Sequence, residues 1–313
     1  ACTPTSSPSE LTEDQGTIDA SDMAATDFGT DQDVADDGSA EPEDMRSSAP
    51  DASSMIDMQD PEDANADLDA SADAGANDMG DDQEPAPPAA LQRWLVGDHA
   101  DAMVAPLGPA FILMGGGPDV DEAFHWWKPY HAGGDVVVLR ASGADGYNDY
   151  LHREIGDVDS VETLLVDTRE LADSEYVAWR VERAEAIFIA GGDQSKYLSQ
   201  WRDTALQGAL ERALQRGAAI GGTSAGCAIL GGFIYAANEG TIYSDEALAD
   251  PYDMRLTLER EFLTTTRLVD VITDTHFYER DRLGRLIAFV ARLREDGWSQ
   301  QPLGIGVDEG TAL

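Results

Sequence analysis

From Pro109 onward, short apolar runs alternate with amphipathic segments. Ala110-Phe111-Ile112-Leu113-Met114 is continuously apolar, as a strand covered on both faces should be, and Gly115-Gly116-Gly117 ends it. Val120 to Tyr130 then reads as a helix, and Asp135 to Leu139 as a second strand. After a polar turn from Ser142 to Gly146, Tyr147 to Ile155 is helical and Val161 to Val166 is a third strand. Ser174 can cap a helix that runs to about Ala184. Ala186 to Ala190 is a fourth strand, ending in Gly191-Gly192-Asp193-Gln194. A long helix covers Thr204 to Arg216, and Ala218 to Thr223 is a fifth strand. Further on, Leu268 to Thr273 and Leu303 to Val307 are strand-like, with an amphipathic Arg280 to Glu295 between them. Gln92 to Ala105 is weakly amphipathic and of open state. The rhythm predicts an α/β fold: an open, mostly parallel sheet with helices on both faces. In that architecture ligands bind beyond the carboxyl ends of the strands, where the Gly-rich turns fall. None of those turns has G-x-G-x-x-G or P-loop spacing, so a nucleotide is not indicated.

The first 88 residues break this rhythm, and composition explains why. They hold 25 of the chain's 61 acids, one base (Arg46) and one aromatic (Phe28), while all six tryptophans lie beyond them. Such a segment lacks the apolar surface to offset ordering entropy, and a disordered acidic tether over residues 1–88 is expected. Asp31 to Asp37 suggests a calcium loop only superficially, because the glycine and closing glutamate of an EF-hand are misplaced. Pro85, Pro87 and Pro88 close the tether, and residues 89–313 are expected to form one domain. Ala1-Cys2 followed by a Ser/Thr/Pro run resembles a bacterial lipoprotein junction. An exported protein, anchored through a lipidated Cys2 or extracellular, is the expectation. No apolar stretch approaches the ~20 residues needed to span a bilayer. Net charge is negative throughout, which argues against nucleic acid. Cys227 is the only other cysteine, so there is no disulfide framework.

The chemistry centres on Gly222-Thr223-Ser224-Ala225-Gly226. It lies between the apolar run ending at Ile220 and a second one, Ala228-Ile229-Leu230. Strand, sharp turn, then helix is the context of a nucleophile elbow, and the helix starting at Ala225 aims free N–H groups at the same place. A serine there can attack a carbonyl while N–H groups hold the oxyanion. Of five histidines, His125, His131 and His152 suit surface or packing roles, and His99 precedes the first apolar run. His276 is the only one after Ser224 and sits at a strand end, so it is the candidate base. An orienting acid could come from Asp308 or Glu309 at the end of the last strand; these point to opposite sides of a strand, and the residues alone do not choose. The order Ser, His, acid differs from the α/β-hydrolase order, which would need an acid such as Glu239, Asp245, Glu246 or Asp274.

Taken together, Met114 to Gly117, Phe188 to Gln194, Gly222 to Gly226, Asp274-Thr275-His276-Phe277 with Arg280, Arg282 and Arg285, and Gly304 to Glu309 resemble the cyanophycinase family. These are serine exopeptidases related to dipeptidase E, on a class I glutamine amidotransferase-like, flavodoxin-like fold. The resemblance covers about Pro109 to Leu313. It implies Ser224 as nucleophile, His276 as base and Glu309 as orienting acid. It further implies oxyanion N–H groups from Gly192 and Ala225, and substrate contacts from Gln194, Arg280, Arg282 and Arg285, the arginines holding carboxylates. The implied activity is hydrolysis of β-aspartyl-arginine units through an acyl-enzyme, with an α-aspartyl dipeptidase or an inactive surface-binding protein as alternatives. A peptide substrate and a homodimer are the partners so implied. No cofactor is expected, and no His/Cys/carboxylate cluster has metal-ligand spacing. Thr275 stands where the family carries Gln, which bears on substrate preference. The family also carries further strands beyond the last motif, so the domain is expected to be truncated after Leu313.

Overall fold

The computed structural model describes residues 83–264 and 267–313. Cys2 and the acidic segment through residue 82 lie outside them, and residues 83–88 carry no regular structure. The open segment after Leu91 resolves as strand β1 (Gln92–Gly97). Then come β2 (Phe111–Met114), β3 (Asp135–Arg140), β4 (Ser160–Leu165), β5 (Ala186–Ile189) and β6 (Ala219–Thr223). These form a six-stranded sheet in the order β1-β4-β3-β5-β6-β2. Only β1 runs antiparallel to its neighbour.

Strand alternation divides the core between the two faces of this sheet. Val136, Val138, Ala186 and Phe188 meet Phe124 and Trp127 of helix α1 (Asp121–His131). They also meet Leu151 and Ile155, from a π-helical stretch (Tyr150–Ile155) that continues the short helix α2 (Gly146–Asp149). Val137, Leu139, Ile187 and Ile189 belong to the opposite core. That face is covered by α3 (Arg169–Ala172), α4 (Glu175–Arg183), α5 (Gln194–Trp201) and α6 (Ala205–Arg216). Glu162, fully buried on β4, accepts hydrogen bonds from Arg93 (2.7 Å), Arg180 (2.6 Å) and the Tyr176 hydroxyl (2.9 Å). Pairing on every side makes a buried carboxylate tolerable there and ties the edge strand β1 and α4 to the sheet.

The remaining strands do not extend this sheet. After the single turn of α7 (Ala225–Ala228) come β7 (Phe233–Tyr235), α8 (Ser244–Ala249), β8 (Leu258–Arg260), β9 (Val271–Thr275), α9 (Leu283–Glu295) and β10 (Leu303–Val307). Their strands make a four-stranded sheet in the order β10-β9-β7-β8, antiparallel only between β7 and β8. The helix that starts at Ala225 stops after one turn. Gly231 and Gly232 follow, where a Cβ would lie 2.7 and 2.1 Å from the carbonyl oxygens of Val271 and Val269. Only glycine lets β7 turn into the second sheet so close to that backbone. The two sheets join at the site: Met114 bridges to Ala312, and His276 N–H donates to the Gly115 carbonyl at 2.8 Å.

Candidate active site

Strands β5, β6 and β2 are neighbours, so the turns at their carboxyl ends stand side by side. The middle turn carries Ser224, whose φ of 51° and ψ of −119° are unusual for a residue with a side chain. Such backbone costs about 1–3 kcal/mol and persists only where the surroundings enforce it. Here Ser224 N–H donates to the Met114 carbonyl (3.1 Å). A Cβ on Gly226 would lie 2.0 Å from the Ile189 carbonyl oxygen, and one on Gly222 would lie 2.6 Å from the Gly226 carbonyl carbon. The two glycines of G-x-S-x-G are thus close-approach positions that let the elbow form. Ala225 opens α7, so its N–H is among those with no intrahelical acceptor.

β9 delivers His276. Its Nε2 lies 2.8 Å from Ser224 Oγ, and its Nδ1 lies 2.5 Å from Glu309 Oε1. β10 ends at Val307, so strand alternation does not select the acid; the turn that follows does. Gly310 N–H donates to the Gly116 carbonyl (2.9 Å), and Glu309 N–H donates to Glu279 Oε2 (3.1 Å). Asp308 faces the other way and accepts the Tyr278 N–H at 2.9 Å. The glycines after β2 complete the cradle. A Cβ on Gly116 would lie 2.4 Å from His276 Cε1, and one on Gly117 would lie 2.9 Å from Glu309 Cβ. Burial pulls the His276 pKa below its ordinary value, and the nearby Arg280 and Arg282 cations push the same way, against the Glu309 hydrogen bond. The imidazole is therefore neutral at pH 7 and able to accept a proton.

The turn after β5 flanks Ser224 on the other side: a Cβ on Gly191 would lie 3.5 Å from Ser224 Cβ. Gly192 is exposed there, and Gln194 begins α5, its side-chain amide reaching the Tyr235 carbonyl at 3.4 Å. α5 was not foreseen; its one signal is Asp193, which caps it by accepting the Ser195 N–H (2.9 Å) ahead of apolar positions at helical spacing. Arg280, Arg282 and Arg285 line one cavity of ≈ 150 Å³ with Thr241, Tyr243 and Ser244. They are not equivalent. Arg285 is buried, and its Nε and Nη2 grip the two Asp274 oxygens at 2.7 and 2.5 Å, so its charge is already matched. Arg282 donates to the Thr275 carbonyl (2.7 Å) and is pulled down to about 10 by burial and by Arg285, still protonated at pH 7. Arg280 is exposed. Asp274, buried against these arginines, is not the partner of His276.

Cys227 is fully buried, and burial pushes its thiol up to about 12, which removes it as a nucleophile at neutral pH. His125 and His131 sit on α1 and His152 on the π-helical stretch, away from Ser224. His131 is buried and held down to about 4, mainly by that burial. Among the described residues no group of three or more His, Cys, Asp or Glu could hold a metal ion, and no helix is long and apolar enough to cross a membrane.

The chain is similar to cyanophycinases. It is 34% identical to that of Synechococcus elongatus over 168 residues, 53% of this chain and 46% of the relative. Identity to that of Trichormus variabilis is 31% over 163 residues, 51% and 49% of the two chains. The chain thus spans about half the length of the curated relatives it matches. The crystal structure of a peptidase from an acI-B1 Actinobacterium aligns with a TM-score of 0.44 at 18% identity, over 65% of this chain and 81% of that one. The model of peptidase family S51 matches residues 147–313, more than half of the chain, and takes in Ser224, His276 and Glu309. The chain belongs to peptidase family S51.

Proposed function

We propose that this chain is a serine-type exopeptidase that hydrolyses β-aspartyl-arginine units of cyanophycin, or related aspartyl peptides, through an acyl-enzyme. The observation that carries the reading is the Ser224–His276–Glu309 relay, with contacts of 2.8 and 2.5 Å. In this mechanism His276 Nε2 takes the Ser224 proton as Oγ attacks the scissile carbonyl. The resulting oxyanion is held by the N–H groups of Gly192 and Ala225. His276 then protonates the leaving amine, and the acyl group stays on Oγ. Water, deprotonated by the same imidazole, attacks the acyl carbon and releases Ser224. Glu309 keeps Nδ1–H aimed at itself and stabilises the imidazolium in both halves.

The arginine cavity supports an anionic substrate group. Arg280 and Arg282 are the cations to meet a carboxylate, while Arg285 is held in place by Asp274. The similarity to cyanophycinases supports the β-aspartyl-arginine bond over an α-aspartyl one. The test is release of β-Asp-Arg from cyanophycin by wild type and by Ser224→Ala, beside an α-aspartyl dipeptide. Turnover of the polymer by wild type alone is expected. Turnover of the α-aspartyl dipeptide only would shift the assignment to a dipeptidase, and activity unaffected by Ser224→Ala would remove the serine mechanism. Activity should survive chelator. Export with a lipid on Cys2 belongs to the same proposal; metabolic labelling with a palmitate analogue should be lost in Cys2→Ser.

A further inference from the structure

The residue that shapes the second oxyanion donor lies outside the relay. Tyr197 is fully buried in the first turns of α5, and its ring stacks on Trp201 with centroids 4.3 Å apart. Side chains of a helix lean toward its N-terminus, and Tyr197 reaches back to the turn that precedes its own helix. Its hydroxyl donates to the carbonyls of Ala190 (2.9 Å) and Gly191 (3.0 Å). The Ala190 N–H is in turn bound to the Leu139 carbonyl at 3.0 Å, so the turn is held on both sides. A trans peptide is planar, with C=O and N–H pointing in opposite directions. Drawing the Gly191 carbonyl toward Tyr197 therefore turns the Gly192 N–H away from it. The turn packs on Ser224, with a Cβ on Gly191 lying 3.5 Å from Ser224 Cβ, which sets this peptide beside the reacting centre. Gly192 must also be glycine for this contact, because a Cβ there would lie 2.7 Å from the Tyr197 hydroxyl oxygen. Burial raises the phenol's pKa, which keeps the proton on the donor at every working pH.

We infer that Tyr197 is a positioning residue for the oxyanion site: its hydroxyl locks the Gly191–Gly192 peptide so that the Gly192 N–H faces the oxyanion formed on Ser224. The inference rests on the serine-peptidase reading above and deepens it. Trp201 anchors the lock, since its Nε1 donates to the Val166 carbonyl at 2.9 Å and fixes the stacked pair against the sheet.

The test uses the rate at which a biotinylated fluorophosphonate labels Ser224, because phosphonylation places a phosphoryl oxygen among the same donors and needs no knowledge of the natural substrate. Tyr197→Phe keeps the ring and the stack and removes only the hydroxyl. Deleting an oxyanion donor outright costs about 10²–10³ in rate, so loosening one should slow labelling roughly tenfold to a hundredfold. The pH midpoint of labelling, which belongs to His276, should stay in place. Tyr176→Phe is the control, since it removes another buried phenol hydroxyl, one bonded to Glu162 on β4 instead of to the turn; its labelling should match wild type. Incorporation of 4-aminophenylalanine at position 197 restores N–H donors and should recover most of the rate. Labelling of Tyr197→Phe at the wild-type rate overturns the inference and leaves the serine mechanism standing. So does equal slowing by Tyr176→Phe, or an amino variant as slow as the Phe variant despite wild-type thermal stability. Failure of wild type to label at Ser224 removes the serine mechanism and this inference together.

Discussion

At the scale of single residues, the relay separates two adjacent acids that the chain presents as equals. Glu309 meets His276 Nδ1 at 2.5 Å, whereas Asp308 accepts a backbone N–H from Tyr278 at 2.9 Å. Glu309→Gln should reduce kcat by about 10²–10⁴-fold, because an amide can hold the wrong tautomer of the imidazole. Asp308→Asn keeps an acceptor oxygen and should cost less than about tenfold; steady-state kinetics of the pair checks this, and the reverse ranking would reassign the acid. The pH dependence follows from His276 as well. Its pKa is lowered, chiefly by burial, and the base must be neutral to work. Activity should therefore hold as pH falls through 6.5 and decline only at lower pH. A pH profile of kcat/KM whose acid limb lay above 6.5 would contradict this assignment.

At the scale of elements, the Gly-rich turns act as spacing devices for the strand ends. Gly116→Ala puts a Cβ at 2.4 Å from the His276 ring, at a φ of +95° that disfavours alanine. Displacing the base by even an ångström should lower kcat about a hundredfold, and the strained φ should lower stability by about 1 kcal/mol. Gly226→Ala acts instead on the frame, since its Cβ would strike the Ile189 carbonyl at 2.0 Å, backbone against backbone. It should lower stability by about 1–3 kcal/mol. Thermal melts and kinetics on the two variants would distinguish a turn that places a group from a turn that permits a crossing.

For the molecule as a whole, two buried titrating groups oppose each other. His131 is held down to about 4, so below pH 6.5 the unfolded chain binds more protons and stability is lost as pH falls toward 4. Glu185, buried at the amino end of β5, is pushed up to about 7 by burial. The folded chain then binds the extra proton, and stability is lost as pH rises from 4.5 through 7. Glu185→Gln removes the second slope, so its Tm relative to wild type should rise between pH 5 and pH 8; a constant difference would argue against a raised carboxyl. Every element described here lies beyond residue 82. A chain starting at residue 83 should keep the wild-type Tm and its activity on a small substrate, and loss of either would give the acidic segment a role in the domain.

Much of this could be read directly from the residues. Apolar runs marked β2 to β6, because a strand covered on both faces has few polar positions; β4 keeps Glu162 and Thr163 among its apolar residues. The G-x-S-x-G elbow and the lone histidine after it marked the serine and histidine that lie 2.8 Å apart in the structure, because tight turns and titrating groups carry local signatures. Other short elements were hidden. β7, β8, α5 and α8 are too short for a period to emerge, and their order comes from packing against neighbours far along the chain. The residues by themselves left Asp308 and Glu309 open and only the resemblance named Glu309; in the fold β10 stops at Val307, and a turn pinned to Gly116 and Glu279 brings Glu309 to the imidazole. Tertiary structure also separated three arginines of one chemistry into a buried partner of Asp274, a half-buried cation and an exposed one, and it brought the Tyr197 hydroxyl back onto the turn before its own helix. Each depends on burial and distance across segments that sequence spacing does not encode.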